Sequence, residues 1–148
     1  MTTYTNRFTE ELALLDVMYP DDRGPGTHNG DWISLSTYHR ARFLLLMGDM
    51  GALATCTAGL QQATDATGTG VKAIAGKTIT QLTQAGGDAG SPVAIELQTE
   101  ELDVDGGFCF VRFYVTTAVN TTIFAAVLEG SPSRYSAVPT TEYNEIVG

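Results

Sequence analysis

Positive charge is scarce in this sequence. Eight Lys and Arg side chains stand against seventeen Asp and Glu side chains, which gives a formal net charge of −9 over 148 residues. Because such a surface repels phosphate groups, we expect binding neither to nucleic acid nor to an anionic membrane surface. A basic protein surface is the partner that this charge favours.

Long apolar runs are also missing. The longest apolar cluster, Phe43 to Met47, is far too short to span a bilayer, and no basic stretch followed by an apolar run marks a signal peptide. We therefore expect a protein that is made and kept in a cytoplasm, or assembled there. The two cysteines, Cys56 and Cys109, lie in strand-like runs. Free buried thiols are the common case at such positions, and a disulfide between adjacent strands is the alternative.

Motifs that bind nucleotides or metals are incomplete. The segment from Gly70 to Thr78 has five residues between Gly70 and Gly76, whereas a phosphate-binding loop has four, and its continuation is β-like. Asp103 and Asp105 supply only two ligands of a calcium loop, so they indicate a turn, with a weak surface cation site as the alternative. We therefore expect no metal and no cofactor.

Catalytic groups are equally sparse. His28 and His39 have no partner at metal-ligand spacing. Spacing leaves open a pair of His39 with Cys56 or Cys109, but thiolate formation is disfavoured in apolar strands. Adjacent carboxylates are typical of solvated charges in an acidic protein. We expect no catalytic residue and a protein that is not an enzyme.

Strand periodicity is what the sequence does contain. Short runs of alternating or β-branched residues are separated by turn residues, and no segment after residue 31 has a convincing helical period. The pattern predicts an all-β fold, an antiparallel β-sandwich or a jelly-roll-like barrel. The continuous apolarity of Phe43 to Met47 predicts a strand buried on both faces. The clearest predicted strands are residues 32–38, 40–47, 53–63, 93–97, 108–117 and 121–128.

The two ends of the chain differ from this body. Residues 20–31 contain two Pro and three Gly and no apolar side chain, which is typical of an exposed, flexible loop. We divide the chain into an extended N-terminal arm and loop (1–31), a β-sandwich body (32–130) and a C-terminal tail (131–148) that packs on the surface or on a neighbour. A short helix that Thr9 caps is the alternative to a fully extended arm. The apolar groups of the arm have no obvious core to join, and packing on their own body is the alternative. They are the predicted partner-binding residues: Tyr4, Phe8, Leu12, Leu14, Leu15 and Met18.

Several segments resemble a known family. They are similar to short proteins encoded in tailed-phage and prophage genomes, often near capsid genes, and the resemblance covers roughly residues 30–148. No catalytic residue of that family can be carried over to this chain. The segments are 32–48 (WISLSTYHRARFLLLMG), 60–70 (LQQATDATGTG), 72–77 (KAIAGK), 80–83 (TQLT), 101–108 (ELDVDGGF), 111–113 (VRF), 134–137 (RYSA) and 145–147 (EIV).

The resemblance implies a virion structural protein. Its foremost form is a capsid decoration (cement) protein that binds the major capsid protein and stabilises the shell as a homo-oligomer, such as a trimer, on the capsid surface. One alternative is a head–tail connector, a tail component or a head-fibre component. Another is a carbohydrate-binding β-sandwich for host attachment, which would need exposed aromatic side chains. The candidates for that role are Trp32, Tyr38, Tyr135 and Tyr143.

Overall fold

Residues 8–133 of the computed structural model are described here, and they are almost entirely β-structure. One short helix precedes the strands, and one 3₁₀ turn, Thr99–Glu101, lies between β8 and β9. The elements are α1 (Phe8–Glu11), β1 (Ala13–Arg23), β2 (Gly26–Asn29), β3 (Ile33–Ser34), β4 (Tyr38–Met50), β5 (Thr55–Ala63), β6 (Lys72–Thr78), β7 (Leu82–Thr83), β8 (Pro92–Gln98), β9 (Phe110–Ala118) and β10 (Thr122–Ser133).

The strands form two antiparallel sheets. The first has four strands in the order β1-β10-β4-β8, and the second has the order β2-β9-β5-β6, with β3 paired to β9 and β7 paired to β5. The chain crosses between the sheets after β1, β3, β4, β7, β8 and β9. The predicted all-β, antiparallel sandwich is thus confirmed.

The core lies between the two sheets. Phe43 of β4 and Phe113 of β9 stack across it with ring centroids 5.1 Å apart. Alternate residues of each long strand point into this layer, as strand geometry requires. Each large apolar side chain that is fully buried there contributes about 1.5–3 kcal/mol. The largest of them are Phe43, Phe113, Phe124, Leu35, Leu45, Leu60, Leu97, Leu128, Val111 and Val115.

The predicted N-terminal arm is wrong for residues 13–29. β1 is an edge strand of the four-stranded sheet and pairs with β10, while β2 pairs with β9 of the other sheet. Register shifts between Leu14 and Asp16 and between Met18 and Asp21 interrupt the alternation of β1, so its sequence lacks a clean strand period. β2 needs only backbone hydrogen bonds and carries no apolar side chain.

Two further expectations fail at β4 and β10. The run from Phe43 to Met47 is not buried on both faces, because Leu46 points outward and is 45% exposed. β10 extends past residue 130 to Ser133, where its backbone pairs with Tyr38. The rest of the predicted tail, residues 134–148, lies outside the described residues.

Candidate protein-binding surfaces

The outward side of the four-stranded sheet, called the outer face below, is apolar across its middle. Strand register places Val17, Val127, Leu44 and Ala94 side by side in one row that crosses all four strands. The next row contains Ala125, Leu46 and Pro92. Ile123 follows along β10, and it is also exposed. No other element of the described chain covers these rows.

Charged side chains border the outer face at both ends. At one end, Arg42 lies between Glu129 and Glu96 in a row across the sheet, and its Nη2 is 2.6 Å from Glu129 Oε2. Arg40 lies one row further out and has no ion pair within residues 8–133.

The opposite end of the outer face is acidic. Asp22 pairs in register with Ile123, and the β4 segment opposite Ile123 contains the exposed Asp49. The outer face is therefore an apolar band with Arg40 and the row of Glu129, Arg42 and Glu96 at one end and aspartates at the other.

A second apolar surface lies at the end of the sandwich next to Asp49. Two loops that cross between the sheets, residues 51–54 and 119–121, form what we call the loop tip. Leu53 and Val119 are each 67% exposed there. They are also the only non-glycine residues in the described chain with positive φ, at 61° and 73°. Their side chains are therefore presented to solvent from a strained backbone conformation.

Hydrogen bonds join the two loops of the tip. The Gly51 amide donates to Thr121 O over 2.8 Å, and Asn120 Nδ2 donates to Ala52 O over 3.2 Å. The Leu53 amide donates to Gln84 Oε1 over 3.2 Å. These bonds hold the two exposed apolar side chains on a preorganised loop pair, which reduces the entropy lost when a partner binds.

The structure separates the predicted partner-binding residues. Phe8 is 78% exposed on α1, and Leu14 lies in the Glu129 row of the outer face. Leu15 and Met18 pack instead against the core of their own chain. Leu12 lines a hollow of about 560 Å³ together with Phe8, Arg40 and Arg42. Tyr4 lies outside the described residues. A binding role for this set stays a prediction.

Sequence reasoning missed three exposed apolar residues of the outer face and the loop tip. Leu46 lies in a continuous apolar run, so hydrophobicity alone does not distinguish it from its buried neighbours. Only the alternation of side chains along a strand predicts that it points outward. Leu53 and Val119 lie in short turns, within the sequences Ala-Leu-Ala and Val-Asn. A single apolar residue in such a sequence is a weak indication of an exposed apolar surface. A large apolar residue in a short turn between two predicted strands is nevertheless a feature that can be searched for.

The two cysteines are free thiols, so the disulfide alternative is wrong. Burial raises the pKa of Cys56 to about 11, which keeps this thiol protonated and unreactive at neutral pH. Cys109 and His39 line a second hollow, of about 710 Å³, but no hydrogen bond joins them in the described chain.

One acidic group of the predicted turn, Asp103, is engaged within the chain. Asp103 Oδ2 is 2.6 Å from Lys72 Nζ, and its Oδ1 accepts the Gly106 amide over 3.0 Å. The hydrogen bond from Lys72 and the one from Gly106 lower the pKa of Asp103 below its usual range. Within residues 8–133, no three His, Cys, Asp or Glu side chains come together as a potential metal site. No helix in that range has the length and apolarity needed to cross a membrane.

The aromatic candidates for glycan binding are poorly placed. Tyr38 is buried in the core with 5% exposure. Trp32 is half-buried, and the Arg112 guanidinium lies over its ring, 4.6 Å from the centroid. Tyr135 and Tyr143 lie outside the described residues. A sugar would have neither Tyr38 nor the Arg112 side of Trp32 available as a stacking platform.

Comparison with known proteins does not assign this chain to a family. No protein-family model matches the chain, and no curated protein matches it. Among solved structures, a chain of the cryo-EM atomic structure of Broad Bean Stain Virus is similar with a TM-score of 0.40 and 9% sequence identity. The match covers 94% of this chain and 96% of that chain. So low a TM-score does not establish a common fold, and the tailed-phage resemblance stays a prediction.

Proposed function

We propose that this protein is a non-enzymatic structural protein of a virion, and specifically a capsid decoration (cement) protein that binds the major capsid protein. It would be assembled in the host cytoplasm and reside on the capsid surface. The family resemblance of roughly residues 30–148 supports this choice of partner. The observation that carries the proposal is that large apolar side chains are exposed on two separate sides of the described sandwich, the outer face and the loop tip.

Two separate apolar surfaces suit a protein that joins other proteins. An enzyme or a small-ligand carrier concentrates its unusual features in one concave site. A cement protein must contact at least two bodies, and large exposed apolar patches mark such contacts. We assign the loop tip to the capsid shell, because its hydrogen-bonded loops present Leu53 and Val119 as fixed anchors. The net charge of −9 favours a basic surface on the shell.

Copy number in the particle tests the decoration role. We expect quantitative mass spectrometry of purified virions that carry this gene to find the protein in a fixed, high ratio to the major capsid protein. A few copies per particle would contradict decoration and favour the connector, tail or head-fibre alternative. Absence from the particle would contradict the virion role itself.

Variants of the loop tip test the assigned shell contact. The double substitution Leu53→Gly and Val119→Gly removes both apolar side chains and suits the positive φ at both positions. We expect the purified variant to remain folded and to lose co-sedimentation with shells assembled from the major capsid protein. Val104→Gly is the matched control, because Val104 is 63% exposed but lies away from the tip. Unchanged binding by the tip variant would contradict this contact.

A further inference from the structure

Beyond the row of Arg42, Glu129 and Glu96, the outer face carries a positive charge near one end and negative charges near the other. Arg40 on β4 lies near one end and Asp49 lies near the other end of the same strand. Two copies stacked with parallel strands would bring their aspartates together, including Asp22 of β1, which shares a row with Ile123. Stacking with antiparallel strands would instead place Arg40 of each copy against Asp49 of the other. The repulsion of the first arrangement and the attraction of the second favour one orientation.

The apolar rows of the outer face match in that same orientation. A twofold axis that lies in the interface and crosses the strands at right angles would stack β4 on the β4 strand of the second copy. The axis would cross β4 between Leu44 and Leu46. Leu44 of each copy would therefore contact Leu46 of the other copy. β-sheets pack face to face in this way at a separation of about 10 Å.

The area of the outer face is sufficient for a specific dimer. The four strands lie about 4.8 Å apart. Along each strand there are about five outward rows, spaced two residues apart at a rise of roughly 3.3 Å per residue. Together they cover on the order of 500–600 Å² per copy. Two copies would thus bury roughly 1,100 Å², which exceeds the approximate 1,000 Å² expected of a biological interface but lies below the standard size. A reversible dimer of moderate affinity is the expected result.

We propose that the outer face of the four-stranded sheet is a homodimer interface, on which a second copy of this chain packs with its strands antiparallel. The inference goes beyond the proposed function and does not require a virion. It also commits to a twofold assembly in place of the trimer that the family resemblance suggests. Its test uses the purified protein alone, so its failure is separate from failure of shell binding.

Leu46→Glu is the first test of this dimer. We expect the wild-type protein to be dimeric at micromolar concentrations by sedimentation velocity and light scattering. The variant should be monomeric, with a dissociation constant raised roughly 100-fold or more, because the interface would bury an unpaired carboxylate. Its fold should be kept, since Leu46 is 45% exposed, and circular dichroism and the unfolding midpoint check this.

Val71→Glu is the matched control, because Val71 is 47% exposed but lies in the loop before β6. It should leave the dimer intact. A wild-type protein that is monomeric at all concentrations, a trimer, or a dimer that is insensitive to Leu46→Glu would each overturn the proposal.

A charge exchange tests the antiparallel orientation. Arg40→Asp should weaken the dimer at least about tenfold, because it places an acidic residue against Asp49 of the second copy. The further substitution Asp49→Arg in the same chain should restore the dissociation constant to within a few-fold of its original value. If the second substitution gives no recovery, the antiparallel arrangement is wrong.

Discussion

At the scale of single residues, Leu53 and Val119 hold a backbone conformation that side chains larger than glycine rarely adopt. Their φ values are 61° and 73°. A positive φ costs roughly 1–2 kcal/mol at each residue. The β-branched Val119 tolerates this conformation less well than Leu53 does. Strain of this kind persists where the surroundings hold it in place, and it is concentrated at functional sites. Here the bonds between the two loops supply that restraint, and the strained residues present two exposed apolar side chains.

Val119→Gly should therefore stabilise the isolated protein. Relief of roughly 1–2 kcal/mol of strain exceeds the entropic cost of a glycine, about 0.5–1 kcal/mol, so the free energy of unfolding should rise by about 0.5–1 kcal/mol. Urea denaturation measures the change. Val104→Gly is the control, because Val104 does not have a positive φ. This substitution should lower the free energy of unfolding by about as much as Val119→Gly raises it. Equal destabilisation of both variants would contradict the assigned strain.

At the scale of elements, the turn of residues 64–69 depends on one carboxylate. Asp65 Oδ1 accepts the Thr67 hydroxyl over 2.7 Å, the Thr67 amide over 2.9 Å and the Thr69 amide over 3.1 Å. Hydrogen bonds from Thr69 and Thr67 hold the pKa of Asp65 far below its usual range. Because the folded-state pKa is lowered, the stabilisation is complete above the unfolded pKa of about 3.9 and is lost as the pH falls below it.

Asp65→Asn should accordingly make the protein less stable at pH 7 and less sensitive to acid. The difference in unfolding free energy between wild type and variant should shrink between about pH 7 and about pH 3, because Asp65 takes up a proton in the unfolded chain while its lowered pKa keeps it ionised in the folded protein. Urea unfolding curves at both pH values give that difference. Asp105→Asn serves as the control, because the exposed Asp105 carboxylate accepts no hydrogen bond within the described chain. A difference that is independent of pH would contradict the role of the charge.

The elements also show what periodicity predicts and where it fails. The long strands β5, β8, β9 and β10 follow runs that alternate or are rich in β-branched residues, and these were predicted near their observed positions. β1 was missed because two register shifts disrupt its alternation, and its pairing with β10 depends on residues more than 100 positions away. A local window contains no information about such a partner.

The candidate surfaces were harder to predict than the strands. An apolar run shows that a segment is buried on at least one side, but neighbouring strands decide whether the other side is covered. Leu44 and Leu46 would be core residues if a helix or a third sheet lay over β4, and none does in the described chain. Only the three-dimensional arrangement separates an apolar core from an apolar contact surface.

At the scale of the whole molecule, the two proposed surfaces have a fixed relation. The loop tip follows Met50 at the end of β4 and precedes Thr122 at the start of β10, so it lies at the acidic end of the outer face. Antiparallel stacking of two copies would therefore place their tips at opposite ends of the dimer. One dimer could then contact two separate sites on a shell, which is the geometry that a bridging protein needs.

Substitutions in the two surfaces should give different combinations of dimerisation and shell binding. Leu46→Glu should abolish the dimer and weaken shell binding on the order of 100-fold, because each copy then binds through one tip without avidity. The tip variant Leu53→Gly and Val119→Gly should abolish shell binding and leave the dimer unchanged. Light scattering and co-sedimentation of each variant provide both readouts. If the tip variant dissociates the dimer, or if Leu46→Glu leaves shell affinity unchanged, the bridging geometry is wrong.

The pairing of β1 with β10 has a consequence for biosynthesis. β10 lies between β1 and β4 in the four-stranded sheet, although it is the last strand of the described chain. During translation, β1 and β4 would thus remain without their common neighbour until β10 had been synthesised. Contacts this distant in sequence make folding slow and leave unpaired strand edges open to aggregation. A prematurely terminated chain would lack the central strand, so only copies synthesised through residue 133 could present the outer face to another molecule.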